Sequence, residues 1–244
     1  MRLCAEIGMK REEAENMNGN GGSERIVLHI PTNFTAEEFA ELCRIEKGTS
    51  AFEELEETLP LIRKYGAPKA IIKWAGVDRV EGDETTIEGV TFHSRVVADK
   101  LRDTPRVFLS VVTAGEGLEQ SGQFADDAFL DLYDGALLFH AYKYLDRYMK
   151  ERFRFDGSSV LSPGSLPDWP IQNNFALFDM IGNVDEIGVS LNGAGYIRPW
   201  NSGSHIHFSG DGYQNCSLCR KYDCIGRRAP FDRAEYVRIF GTEP

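Results

Sequence analysis

A chain of 244 residues with 38 acidic against 27 basic side chains carries a formal charge of −11, which repels a phosphate backbone and excludes nucleic acid as a partner. At 42% hydrophobic and 27% charged residues the composition is that of a packed globular protein rather than a disordered one, and no apolar run approaches the roughly 18 residues of a membrane span. Five cysteines, an odd number, and a start lacking the apolar core of a secretion signal fit reduced thiols or metal ligands in the cytoplasm better than a disulfide framework.

Residues 1–24 are polar and end in a glycine- and asparagine-rich run, so they read as a flexible leader that leaves Cys4 outside the fold, with residues 25–244 as one domain. ERIVLHI is a candidate strand. Thr35 with Glu38 three residues later is a capping box, which predicts a helix over TAEEFAELCRIE, and Ser50 with Glu53 repeats the device for a helix through Lys64 that Gly66 and Pro68 end. From KAIIKWAGVDRV to TTIEGVTFHS the residues turn β-branched and aromatic, predicting a strand, a turn around EGDE and a second strand. Ser94 caps a helix to about Arg102, and RVFLSVVTAG is a buried strand.

The longest element is the helix in DDAFLDLYDGALLFHAYKYLDRYMKERFRF. Its apolar face is predicted at Phe129, Leu132, Tyr133, Ala136, Leu137, His140, Tyr144 and Tyr148, with Gly135 marking a close approach by a neighbour and His140 a satisfied core histidine. SSVLSPGSLPDWP cannot continue a helix and requires an ordered loop, after which PIQNNFALFDMIG is helical with Pro170 in its first turn. EIGVSLN and SGSHIHFSG are strand candidates flanking GAGYIRPWN. Helices, strands, a long helix and strands again, without βαβ alternation, predict an α+β fold.

No GxGxxG, GxxxxGK[ST], HExxH or GxSxG motif is present, which removes sequence support for dinucleotide-fold, P-loop, zincin and α/β-hydrolase chemistry. The chemistry-bearing cluster is instead Cys216, Cys219 and Cys224, a CxxCx4C array. Two thiolates of a CxxC turn face one ion and the chain curls back with a third, a geometry that suits Zn²⁺ or an iron–sulfur cluster. Cys43, His205 and His207 are the candidates for a fourth ligand, the two histidines projecting from one strand face. A redox dithiol and an inert set of thiols stand as the alternatives. Arg220, Lys221, Arg227 and Arg228 form a basic stretch unusual in so acidic a chain, suited to lowering thiolate pKa values, to meeting an anionic partner or to a plain solvated turn.

The segment from Ser162 to Phe208, with SPGSLPDWP, the helix PIQNNFALFDMIG, IGVSL and SGSHIHF, resembles the C-terminal half of the activation domain of cobalamin-dependent methionine synthase. Upstream, FLSVVTAGEGLE and the long helix with its DGALL centre are similar to the order in stand-alone members, so the resemblance covers about residues 25–240. It implies a single curved α+β domain with a twisted antiparallel sheet and flanking helices, and a stand-alone activation subunit of a methionine synthase or related corrinoid methyltransferase. Such a subunit binds S-adenosylmethionine and docks on the cobalamin-binding domain of its partner. One electron from a flavodoxin or ferredoxin and a methyl group from S-adenosylmethionine return oxidised cobalamin to methylcobalamin.

The residues the resemblance assigns to the ligand are Ser162, Pro163, Gly164, Ser165, Trp169 and Pro199. The family's Arg, three residues, then Gly-Tyr reads Val160, Gly164 and Ser165 here, so the guanidinium that pairs with the methionyl carboxylate is replaced. Its Leu-Thr-Glu-Ser stretch reads Leu191 to Ala194. The cysteine array is an addition to the fused domain and is similar to cysteine-bearing stand-alone relatives. The readings from other classes are a non-catalytic scaffold module with structural zinc and an iron–sulfur electron-transfer protein for a corrinoid partner.

Overall fold

The structure is a computed structural model and describes residues 25–124, 129–157, 159–210, 212–222 and 227–244; the leader, Cys4 and Cys224 lie outside the described residues. Its centre is a seven-stranded sheet in which every pair is antiparallel. The strands are β1 (Arg25–His29), β2 (Lys69–Glu81), β3 (Glu84–Ile87), β4 (Val90–His93), β5 (Arg106–Thr113), β6 (Ser159–Leu161) and β9 (Ser202–Phe208), and a separate hairpin pairs β7 (Ser190–Leu191) with β8 (Ile197–Arg198). The order is β4-β3-β2-β5-β9-β6. β2 serves twice, its first half lying between β1 and β5 and its second half pairing with β3. A register shift between Val77 and Arg79 divides the halves.

The capping signals fold as their chemistry dictates. In α1 (Ala36–Cys43) the Thr35 hydroxyl accepts from Glu38 N while the Glu38 carboxylate accepts from Thr35 N, satisfying two orphan donors reciprocally. α2 (Ser50–Tyr65) is capped by Thr49 rather than Ser50, because the Thr49 hydroxyl reaches the N–H of Phe52. Ser94 caps α3 (Arg95–Leu101). A short α4 (Gly117–Gln120) precedes α5 (Leu130–Phe153), and α6 (Asn173–Ile181) and α7 (Arg233–Phe240) complete the helices. Further expectations change. The second strand after EGDE splits into β3 and β4 at Glu88 and Gly89, both at positive φ. EIGVSLN opens on the end of a 3-10 turn (Val184–Ile187) and has only Ser190 and Leu191 in strand. Open space surrounds Gly135 where a Cβ would stand, so no neighbour approaches it.

β5 is buried on both sides after its first residue, so the sheet is covered on both faces. One face, with Ile71, Val107, Leu109, Val111 and Ile206, packs against α3, α6, Trp169 and Tyr236 of α7. The other, with Ala70, Ile72, Phe108 and Val112, packs against Ala141, Leu145 and Met149 of α5. The buried side of α5 is therefore rotated from the expected stripe: Tyr144 and Tyr148 are half-buried while Ala141 and Leu145 are enclosed. The N-terminal part of α5 joins α1, α2 and α4 in a third cluster around Phe39, Leu55, Ile62 and Tyr133. His140 hydrogen-bonds the Pro31 carbonyl at 2.8 Å and stands edge-on to Phe34, satisfied as expected but half-buried rather than in the core. Among the described residues no helix is long and apolar enough to cross a membrane.

Candidate functional site

β6 ends the sheet, and the loop that leaves it is anchored in three ways. Gly164 turns the backbone at φ 78 and donates its N–H to the Trp169 carbonyl at 2.8 Å. A Cβ there would meet Ile171 Cδ1 at 2.7 Å, so only glycine fits both the angle and the space. Asp168 accepts from Ser94 Oγ at 2.8 Å and from Arg95 N at 2.6 Å, tying the loop to the start of α3. Trp169 is fully buried and edge-on to Phe92, with ring centroids 5.7 Å apart. Its part is to pin the loop from beneath. Pro163 is buried, Gly164 exposed and Ser165 half-buried.

β9 carries His205 and His207 on one face, as the strand period requires, with ring centroids 5.7 Å apart under α5. Ser162 Oγ hydrogen-bonds His205 Nδ1 at 2.7 Å, joining the loop to the strand. Ser110 Oγ and His207 Nε2 are 2.9 Å apart, and His207 Nδ1 lies 3.2 Å from the Gly157 carbonyl. A carbonyl only accepts, so the Nδ1 proton of His207 donates to it and Nε2 accepts from Ser110. Burial pushes His207 down to about 4 and His205 well below its ordinary value, so both are neutral at pH 7. His205 Nε2 is buried without a hydrogen-bond partner among the described residues, and the ring stands edge-on to Tyr142 of α5 at 5.0 Å. Gly203 permits this approach, since a Cβ there would lie 2.4 Å from Tyr142 Oη and 2.9 Å from His205 Nε2.

The cysteine segment returns along the outer edge of β6. Val160 N donates to Tyr213 O at 2.9 Å, Val160 bridges Gln214 in parallel, and Ser159 Oγ accepts from the N–H groups of Gly212 and Tyr213. Asn215 Nδ2 reaches Ser162 O at 3.2 Å. Val160, where the resemblance expects a ligand-binding arginine, is consequently 5% exposed beneath the chain's own segment.

One guanidinium organises the turn that follows. Arg227 donates to the carbonyls of Cys216 and Ala229 through one terminal nitrogen and to those of Cys219 and Lys221 through the other, at 2.6 to 3.1 Å. The Cys216 thiol accepts from Arg228 N at 3.4 Å. Cys216 and Cys219 are free and half-buried. Among the described residues no three His, Cys, Asp or Glu side chains converge on a metal position. No candidate fourth ligand joins such a group among the described residues. Both ring nitrogens of His207 have protein partners, His205 has one nitrogen on Ser162 and its other beside Tyr142, and Cys43 is buried in the helical cluster, its thiol pushed up to about 12 by burial. The described donors do not make a metal site; Cys224 lies outside them.

Pro199 follows β8 through a cis peptide from Arg198. Beside it, Trp200 and Tyr196 are exposed at 69% and 47%, and the Arg198 guanidinium lies 3.7 Å from the Trp200 ring centroid. Sequence reasoning missed Arg227 as a clamp and Tyr142 as the partner of His205. The basic stretch was the signal for the first. Nothing in the pattern of α5 marks the second.

No protein-family profile and no curated protein sequence matches the chain. Among solved structures, a crystal structure of the MetH reactivation domain bound to AdoHcy is similar with a TM-score of 0.57 at 14% sequence identity, covering 80% of this chain and 82% of that one. The α+β architecture, an antiparallel sheet with flanking helices, is therefore the fold of the MetH reactivation domain.

Proposed function

We propose that this chain is an activation-type module that docks, as a separate subunit, on a cobalamin-carrying protein and supports the reductive remethylation of its cobalt. The observation that carries the reading is the shared fold with the MetH reactivation domain over four-fifths of the chain. An adenosyl ligand of the S-adenosylmethionine type supplies the methyl group when bound. On the resemblance, Ser162, Gly164 and Ser165 of the loop, with Pro199, would hold it, while Trp169 and Asp168 keep the loop in position. The two buried histidines are neutral, His207 with both ring nitrogens hydrogen-bonded and His205 with Nδ1 on Ser162.

One observation favours a second reading, a binding module that keeps the fold without the adenosyl ligand. Val160 offers no guanidinium, and its edge is covered by residues 212–215. Losing a charge-assisted bidentate contact weakens binding by about 10- to 100-fold. Calorimetric titration with S-adenosylmethionine and AdoHcy separates the two. Saturable micromolar binding that Gly164→Val abolishes supports the activation module. Absence of heat at any workable concentration supports the binding module.

A further inference from the structure

A cleft of about 420 Å³ opens between the C-terminal end of α1, the middle of α5 and the cysteine segment, lined by Glu41, Leu42, Arg44, Phe139, Tyr142, Lys143, Asp146, Gln214 and Arg228. Three of its nine lining residues are cations, in a chain whose net charge is −11. Lys143 is 4.0 Å from Glu41, which offsets one of them. For Arg228 and Arg44 no carboxylate lies within ion-pair distance among the described residues. Asp146, exposed at the rim of the cleft, is the remaining opposing group.

The backbone is arranged to present both arginines. Arg44 ends α1 in the left-handed conformation, φ 56, where glycine or asparagine is preferred. Arg228 is held from behind: its N–H donates to Cys216 Sγ, and the neighbouring Arg227 ties down four carbonyls of the same turn. The two adjacent arginines thus divide the work, Arg227 inward as a clamp and Arg228 outward, its guanidinium 5.6 Å from the Tyr142 ring centroid. Tyr142 and Phe139, 6.3 Å apart at an interplanar angle of 75°, give the cleft an aromatic wall. Behind Tyr142 stands His205, whose Nε2 has no hydrogen-bond partner among the described residues.

From this geometry we propose that the cleft binds a small organic anion, its carboxylate or phosphate head on Arg228 and Arg44 and its flat apolar body against Tyr142 and Phe139. The clamp of the cysteine segment then has a purpose beyond covering β6: it fixes the head-group anchor. This inference stands without the corrinoid reading, since it uses neither the loop after β6 nor any cobalamin.

The test is amide NMR on the full chain with benzoate and phenyl phosphate as probes of the two head groups and phenol as the uncharged control. Either anion should shift the amides of Leu42, Phe139, Tyr142 and Gln214 saturably in the millimolar range while Gly164 and Ser165 stay still, and phenol should bind about tenfold more weakly. Arg228→Leu should weaken the anion about tenfold or more, and Asp146→Asn should tighten it about two- to fivefold by removing the opposing charge. The opposite directions of the two variants separate a lost contact from a damaged fold. Unsaturable shifts, equal binding of phenol, or no response to Asp146→Asn would overturn the proposal.

Discussion

The loop after β6 and the cysteine segment cross the same edge strand, yet different physics holds them. The loop is built into the core: Trp169 is enclosed by Phe92 and the α6 face, and Gly164 and Asp168 fix its backbone. The cysteine segment is held in two ways: Tyr213 and Leu218 are buried in the same core cluster and main-chain and serine hydrogen bonds join it to β6, while the turn beyond depends on one guanidinium. The difference teaches which part can loosen while the fold remains: the turn tied by Arg227, not the buried stretch before it.

The contrast is sharpest at Trp169. Trp169→Ala removes a fully buried indole and should cost about 3 to 5 kcal/mol of global stability in denaturant unfolding, the loss expected for a large core aromatic. Arg227→Ala should act locally. Four carbonyls lose their donor, worth about 2 to 4 kcal/mol to the segment. Hydrogen exchange at residues 219–222 should accelerate about 100-fold while β5 and β9 stay protected; equal acceleration across the sheet would erase the distinction between the core-packed loop and the clamped turn. Gly164→Ala falls between, at about 1 to 3 kcal/mol, since the new Cβ meets Ile171 at an unfavourable φ.

The smallest effect lies away from both regions. Asp134, on the buried side of α5, is pushed up to about 6 by burial and by the carboxylates of Asp131 and Glu119, against an ordinary 3.8. A carboxyl that is easier to protonate folded than unfolded adds stability as pH falls through 6, in full below 3.8, and takes it away as pH rises. Asp134→Asn should therefore stabilise the protein by about 1 kcal/mol at pH 8 and flatten its melting temperature between pH 7 and 5.

What was legible in the sequence was local. Thr35 with Glu38 and Ser94 before Arg95 cap helices through contacts three residues away, and the run from Val107 to Thr113 is apolar because both faces of β5 are covered. α7 carries such a signature too, Asp232 accepting from Glu235 N, though cysteine spacing dominates the reading of that region. The candidate site was legible only in part. SPGSLPDWP announces an ordered loop, but nothing near Val160 states that Tyr213 and Gln214 will cover it, because that pairing joins positions about 50 residues apart. Spacing likewise suggested that His205 and His207 share a face, and they do. It could not show that Ser110, Gly157 and Ser162 claim three of their four ring nitrogens.

The most direct test of the central claim is a reconstituted reactivation assay. The chain is mixed with a cognate corrinoid protein in the cob(II)alamin state, a reduced flavodoxin-type donor and S-adenosylmethionine, and the visible spectrum is followed. The account predicts conversion to methylcobalamin that requires the chain and is lost with Gly164→Val. Conversion at the same rate without the chain, or none with it, would contradict the account.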